Sequence, residues 1–131
     1  MAGYSGTPLI KKLGIKDGFR LRLAHTPPHY ANLLGGLPVG IEEAQTDCHF
    51  VHAFYKEHDL FEAEIGDLIS TIRRDGMIWI SWPKKAAKVA TDMSEDVVRE
   101  VALPLGLVDV KVCAVDEVWS ALKLVIRKEL R

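Results

Sequence analysis

The sequence predicts a single three-layer α/β domain built on a mostly parallel sheet, and three observations carry that prediction. Stretches of strand character alternate along the chain with stretches of helical period, as in strands joined by right-handed helical crossovers. Residues 77–82 are apolar at nearly every position, which is expected of a strand covered on both faces. The last two strand-like stretches, 108–115 and 121–128, are separated only by Asp116-Glu117-Val118-Trp119-Ser120. That spacing is short enough for a hairpin and puts one antiparallel strand into the sheet.

Each element has a local cause. Residues 1–8 are rich in Gly, Ser and Pro and predict a flexible or surface-wrapped start. One helical turn over 9–13 ends at Gly14, and Lys16-Asp17-Gly18 signals a turn. Phe19-Arg20-Leu21-Arg22-Leu23-Ala24 then alternates with period two, a strand. His25-Thr26-Pro27-Pro28 stops it. A short helix over 30–34 closes at Gly35-Gly36, a weak strand covers 39–44, and a stronger one covers 48–55. Asp59 predicts an N-cap, with Glu62 three positions on completing a capping box. Phe61, Ile65, Leu68, Ile69 and Ile72 make one apolar stripe. Arg73 and Arg74 suit the negative end of that helix, and Gly76 suits its stop. After the strand at 77–82, a loop of Pro, Lys and Ala leads to a second helix capped by Asp92 or Ser94. Val97, Val98, Val101 and Ala102 form its apolar face, and Pro104 and Gly106 end it. Arg20 and Arg22 are a misfit in a central strand. Either Glu42 and Glu43 pair with them across strands, or the short following helix covers that face thinly.

Composition narrows the function classes. A chain of 131 residues supports one hydrophobic core, and 1–131 is expected to form one domain. Apolar residues make up 48% and charged residues 27%, ordinary for a globular protein. A net charge of −1 gives no global field toward nucleic acid or an anionic membrane. No apolar run is long enough for a membrane span, and residues 1–8 lack a signal-peptide pattern, so a cytoplasmic setting is expected. Cys48 and Cys113 have no CxxC partner and are expected to be reduced and structural.

The candidate site lies where the sheet topology gathers chemistry. In open α/β sheets ligands bind at the carboxyl ends of strands. His25, Tyr55, the Trp82-Pro83-Lys84-Lys85 turn and the Asp116–Trp119 turn all fall at such ends. The second helix points its N-terminus to the same rim, and Lys84, Lys85 and Lys88 add positive charge, which suits an anion. The expected ligand-binding residues are Trp82, Lys84, Lys85, Asp116, Trp119, Tyr55 and His25, with Trp82 or Trp119 offering a stacking face. The alternative is structural: the lysines are solvated and both indoles plug the top of the core. Asp116 is the best catalytic candidate, because desolvation by Trp119 would raise its pKa. His49 and His52, three apart on a strand, are placed on opposite faces, with His52 sharing its face with Phe50 and Phe54. His25, His29 and Asp116 show no zinc spacing signature, so no metal is expected. No GxSxG, no GxGxxG after the first strand and no Walker A sequence occurs. His25-Thr26-Pro27-Pro28-His29 stands where a glycine cradle would be, and proline lacks the N–H such a cradle uses.

Trp82-Pro83-Lys84-Lys85, Thr91-Asp92, Asp96 to Glu100, Gly106 to Cys113 and Val115 to Lys123 resemble a bacterial family catalogued as a domain of unknown function, numbered three thousand and fifty-two. Gly3 to Leu9 and Lys12-Leu13-Gly14-Ile15 are similar to it too. That resemblance brings no activity, cofactor or catalytic residue to carry over. In element order the chain also resembles a trimmed, Rossmann-like class I methyltransferase, without the glycine-rich S-adenosylmethionine loop at His25 to Pro28. Fold does not carry function.

Two functional expectations follow. The first is a non-catalytic module, without a resident cofactor, that binds a small anion, a nucleotide or a protein partner. The alternative is a divergent transferase acting at the carboxyl rim through Asp116 and Lys84. Nucleic-acid binding through Trp82, Lys84, Lys85 and Lys88 is disfavoured by the near-neutral charge. Self-association is a further expectation, since an apolar edge strand must be covered. Whether 121–126 or 108–115 forms that edge stays open.

Overall fold

The computed structural model describes residues 7–131, so the first six residues of the expected flexible start lie outside the described residues. The element order is α1 (Leu9–Leu13), β1 (Arg20–Ala24), α2 (Tyr30–Leu34), β2 (Glu42–Glu43), β3 (Cys48–Phe54), α3 (His58–Thr71), β4 (Ile72–Pro83), α4 (Glu95–Ala102), β5 (Leu107–Ala114) and β6 (Trp119–Ile126), with short 3-10 turns between and after them. The six strands form one sheet in the order β2-β1-β3-β4-β6-β5. Pairs β1–β2, β1–β3 and β3–β4 are parallel, while β6 runs antiparallel to both β4 and β5. The hairpin therefore inserts its second strand beside β4 and leaves β5 at the edge. β2 is a two-residue stub at the opposite edge, shorter than the expected 39–44. No helix lies between β2 and β3.

Two cores lie on the two faces of the sheet. On one face α3 and α4 bury Phe61, Ile65, Leu68, Val98 and Ala102 against Ile78, Ile80, Trp82, Leu122 and Leu124. On the other face the short α1 and α2 bury Leu13, Tyr30 and Leu34 against Phe50, Phe54, Trp79 and Trp119. The second face also holds polar ties. The Trp79 indole N–H donates to the Leu13 carbonyl at 2.9 Å. Buried His52 sits 2.8 Å from the Tyr30 hydroxyl through Nδ1 and 2.7 Å from the Ser81 hydroxyl through Nε2. Burial pushes the His52 pKa down to about 3. The ring is neutral, so one nitrogen donates and the other accepts.

Several local expectations are corrected. Asp59 is in the first turn of α3 but does not cap it; Asp92 does, with Oδ1 accepting the His58 backbone N–H at 2.7 Å. Ser94 caps α4, accepting the Val97 N–H. α3 ends at Thr71, and Arg73, Arg74 and Gly76 belong to β4 rather than to a helix end. A Cβ at Gly76 would meet the Cys48 carbonyl oxygen at 2.9 Å; this glycine permits close approach of two strands beside the bulge at Cys48–Phe50. Of the two carboxylates expected to meet Arg20 and Arg22, Glu42 reaches Arg20 at 3.4 Å. Arg22 turns instead to Asp67 of α3 at 2.7 Å.

Candidate functional site

Strand order fixes where the site can be. The chain leaves β1 toward β2 on one side and reaches β3 on the other, so β1 and β3 flank a topological switch point. A crevice opens there at the carboxyl ends. A pocket of about 420 Å³ occupies this place, lined by His25, Pro27, Pro28, Phe54, Tyr55, Lys56, Glu57, Leu60, Val89, Val118 and Trp119. Its volume is within the range of small-molecule sites.

The walls are built by long-range ties. Thr91 Oγ donates to the Lys56 carbonyl at 2.6 Å, and with Asp92 capping α3 this fastens the β3–α3 turn to the loop after β4. The Lys84 backbone N–H donates to the Val118 carbonyl at 2.8 Å, which fastens the double-lysine turn to the hairpin. Asp116 Oδ1 accepts the N–H groups of Val118 and Trp119 at 2.8 and 2.7 Å, an Asx-type closure of that hairpin. His29 Nε2 donates to the other Asp116 oxygen at 2.9 Å.

Glu64 of α3 is the organising carboxylate, a residue outside the site expected from the sequence. One of its oxygens accepts both the Tyr55 hydroxyl and His25 Nε2, each at 2.8 Å. Burial pushes the Glu64 carboxyl up, but the hydrogen bonds from His25 and Tyr55 outweigh it, and the net shift is downward. Burial, and then the bond to Glu64, raise the Tyr55 phenol. His25 ends β1 with φ 57°, in the left-handed region, a conformation that costs a non-glycine residue about 1 kcal/mol or more. The bond to Glu64 and an edge contact with Tyr55 hold the ring there. Residues 25–29 thus form a proline strap tied on both sides, to α3 through His25 and to the hairpin through His29. A glycine-rich sequence signal could not have found this arrangement, since it rests on helix-borne Glu64 meeting strand-end Tyr55 nine positions earlier.

Not every expected residue converges on this pocket. His25, Tyr55 and Trp119 line it. Trp82 and Lys85 line a separate 360 Å³ depression with Val89, Thr91, Met93 and Ser94, while Lys84 and Asp116 line neither. Trp82 pairs with Ser120 and Pro83 with Trp119, so the two indoles lie on opposite faces and are 6% and 8% exposed. They serve as core plugs; no shared stacking platform forms. For Asp116 the expected rise in pKa is reversed: burial pushes it up, but the bonds from His29, Trp119 and Val118 prevail and lower it. The α4 N-terminus already has Ser94 as its cap and Glu95 and Asp96 in its first turn, which offsets the positive end of its dipole. His49 stacks on Phe19 and accepts the Arg20 N–H. Among the described residues no group of three His, Cys, Asp or Glu could hold a metal, and no helix is long and apolar enough to cross a membrane.

No family model matches the chain, and no curated protein matches it. Solved structures do. A S-adenosylmethionine-dependent methyltransferase from Aquifex aeolicus superimposes with a TM-score of 0.62 at 13% identity, over 91% of this chain and 88% of that one. The DhpI complex with S-adenosylhomocysteine gives 0.61 at 13% identity, covering 92% and 83%. A ribosomal protein L11 methylase from Lactobacillus delbrueckii subsp. bulgaricus gives 0.58 at 10% identity, covering 90% and 74%. The fold is methyltransferase-like, of Rossmann type, with a mostly parallel six-stranded sheet and an antiparallel closing pair.

Proposed function

We propose that the pocket between the ends of β1 and β3 binds a nucleoside-type ligand, S-adenosylmethionine foremost, and that the chain is a divergent methyltransferase-like domain. The observation that carries this reading is the pocket's seat at the switch point of the sheet. The fold neighbours that hold this cofactor or its product add support. The residues present suit such a ligand in size and polarity, though not through a glycine loop. Phe54, Tyr55 and Trp119 supply aromatic wall, and Leu60 and Val118 add aliphatic wall. Lys56 and Glu57 bring one charge of each sign to its border, matching a ligand with an amino acid end. When bound, that ligand supplies an activated methyl group. His25 and Tyr55 are committed to Glu64, so their part is to fix the strap and the pocket floor. Cytoplasmic placement and the likeness to the domain-of-unknown-function family belong to the same reading, resting on composition and the C-terminal motifs.

A thermal-shift titration with S-adenosylmethionine and S-adenosylhomocysteine tests it. Ligand at 100 times its dissociation constant adds about 2.7 kcal/mol of stability. Leu60→Arg, a change at a partly exposed wall residue, should abolish the shift while leaving the fold intact. A flat response to both compounds overturns the reading.

One observation favours a second reading, a non-catalytic binding module: Asp116, the best acid–base candidate, has both oxygens engaged in structural hydrogen bonds. Under it, nucleotides or phosphorylated metabolites bind along Trp82 and Lys85. Calorimetric titration shows heat with them, and Lys84→Ala with Lys85→Ala removes it.

A further inference from the structure

The face of the sheet under α1 carries an arrangement that folding alone disfavours. Trp79 of β4, Lys123 of β6 and Lys111 of β5 lie in one cross-strand row. The bond from the Trp79 indole to Leu13 seats the end of α1 over β4, and Lys16, three residues further on, is close enough to Lys123 to act on it electrostatically. Like charges directly opposite in an antiparallel pair destabilise it, yet Lys111 and Lys123 are register partners. Lys123 is also half-buried. Among the described residues neither lysine, nor Lys16, forms a salt bridge. The carboxylate nearest along β5, Asp109, pairs with Leu124 in register, on the opposite face, and binds Arg99 there.

We propose that Lys16, Lys111 and Lys123 form an oxyanion site for a phosphoryl group carrying two or more charges, separate from the rim pocket and independent of the reading given to it. Lysine is a point-charge binder of phosphate, and convergent ammonium groups lacking protein carboxylates leave room for a multivalent anion to neutralise them. Burial, Lys111 and Lys16 together hold the Lys123 ammonium below its ordinary range, so charge repulsion is felt in the ligand-free protein. Lys12 and Lys111 both act on the Cys113 thiol, which extends the positive field toward β5.

The test is thermal denaturation of the full chain with inorganic pyrophosphate at fixed ionic strength, with adenosine diphosphate as a second arm. Pyrophosphate should raise the melting temperature of the native chain. Lys123→Met and Lys111→Gln should each weaken binding at least about tenfold, the loss of one charge-assisted hydrogen bond, whereas Lys128→Ala, an equal charge change elsewhere, leaves it intact. Lys111 lies on an exposed edge strand, so that variant keeps its fold even where the half-buried site does not. Without ligand, Lys123→Met should melt at or above the native temperature. Equal protection by both anions, lost in the lysine variants, supports the site and assigns it to the phosphoryl group alone; tighter nucleotide binding that the lysine variants lose supports it and adds a base contact, whereas nucleotide binding that they keep belongs to the rim and counts against it. No protection of the native chain, or equal protection of native chain and both lysine variants, overturns it.

Discussion

The two faces of this sheet are held by different means. Under α3 and α4, two helices of 14 and 8 residues cover an almost purely apolar core. Under α1 and α2, two helices of five residues each cover the sheet, and five residues bury little area. That face compensates with aromatic rings and buried hydrogen bonds: the Trp79–Leu13 tie and the Tyr30–His52–Ser81 chain. Where those short helices run out, Lys111 and Lys123 face each other unpaired. The difference teaches that short cover demands directional bonds, and that such bonds make one face sensitive to polarity and pH while the other answers mainly to volume.

The largest test of this contrast is truncation. Trp79→Ala should cost about 3–5 kcal/mol, the range for a buried aromatic, and should exceed Phe61→Ala because it also strips the Leu13 carbonyl of its donor. Urea denaturation of both variants measures this; equal losses would erase the distinction. The next effect is acid sensitivity. His52 has a folded pKa depressed to about 3, so its contribution is complete above the ordinary histidine value and is lost as pH falls from there toward 3. Stability should drop by about 1.4 kcal/mol per pH unit across that window. A His52→Phe variant followed by chemical denaturation between pH 7 and 4 should lose the slope; persistence of the slope would place the proton elsewhere.

A smaller effect separates polarity from volume. Tyr30→Phe removes only a hydroxyl yet leaves His52 Nδ1 without its partner, and about 1–3 kcal/mol should be lost. Leu68→Met, a volume-conserving change on the α3 face, should cost less than about 1.5 kcal/mol. The smallest expected effect is at the rim. Asp92→Ala takes the cap from α3 at a distance of 34 residues and should cost about 1 kcal/mol. Amide exchange should speed up in the first turn of α3 and leave α4, capped by Ser94, unchanged.

Much of the fold was legible because its causes are local. Gly14 and Gly35 bound α1 and α2 where positive φ was needed, and the stripe from Phe61 to Leu68 faces the core as its spacing requires. The gathering of His25, Tyr55 and Trp119 at one rim followed from strand direction alone. What escaped were ties between remote segments. Asp59 has the right residue type for a cap, but the backbone of Lys56–His58 is bonded by Thr91 and Asp92. Gly76 looks like a helix stop, yet it serves a close approach to Cys48. Glu64 reads as a solvated helix residue until Tyr55 and His25 are brought to it.

By itself, then, the sequence determined the element types, the parallel character of the sheet and the end of it where His25, Tyr55 and Trp119 meet, since periodicity, turn residues and strand direction are properties of contiguous chain. The insertion of β6 between β4 and β5, the placement of Trp82 and Trp119 on opposite faces, the partners of His25, His29, His49 and His52 and the facing lysines were decided only in three dimensions. Register and hydrogen-bond partners depend on which segments meet, and the free energy of those meetings belongs to neither segment alone.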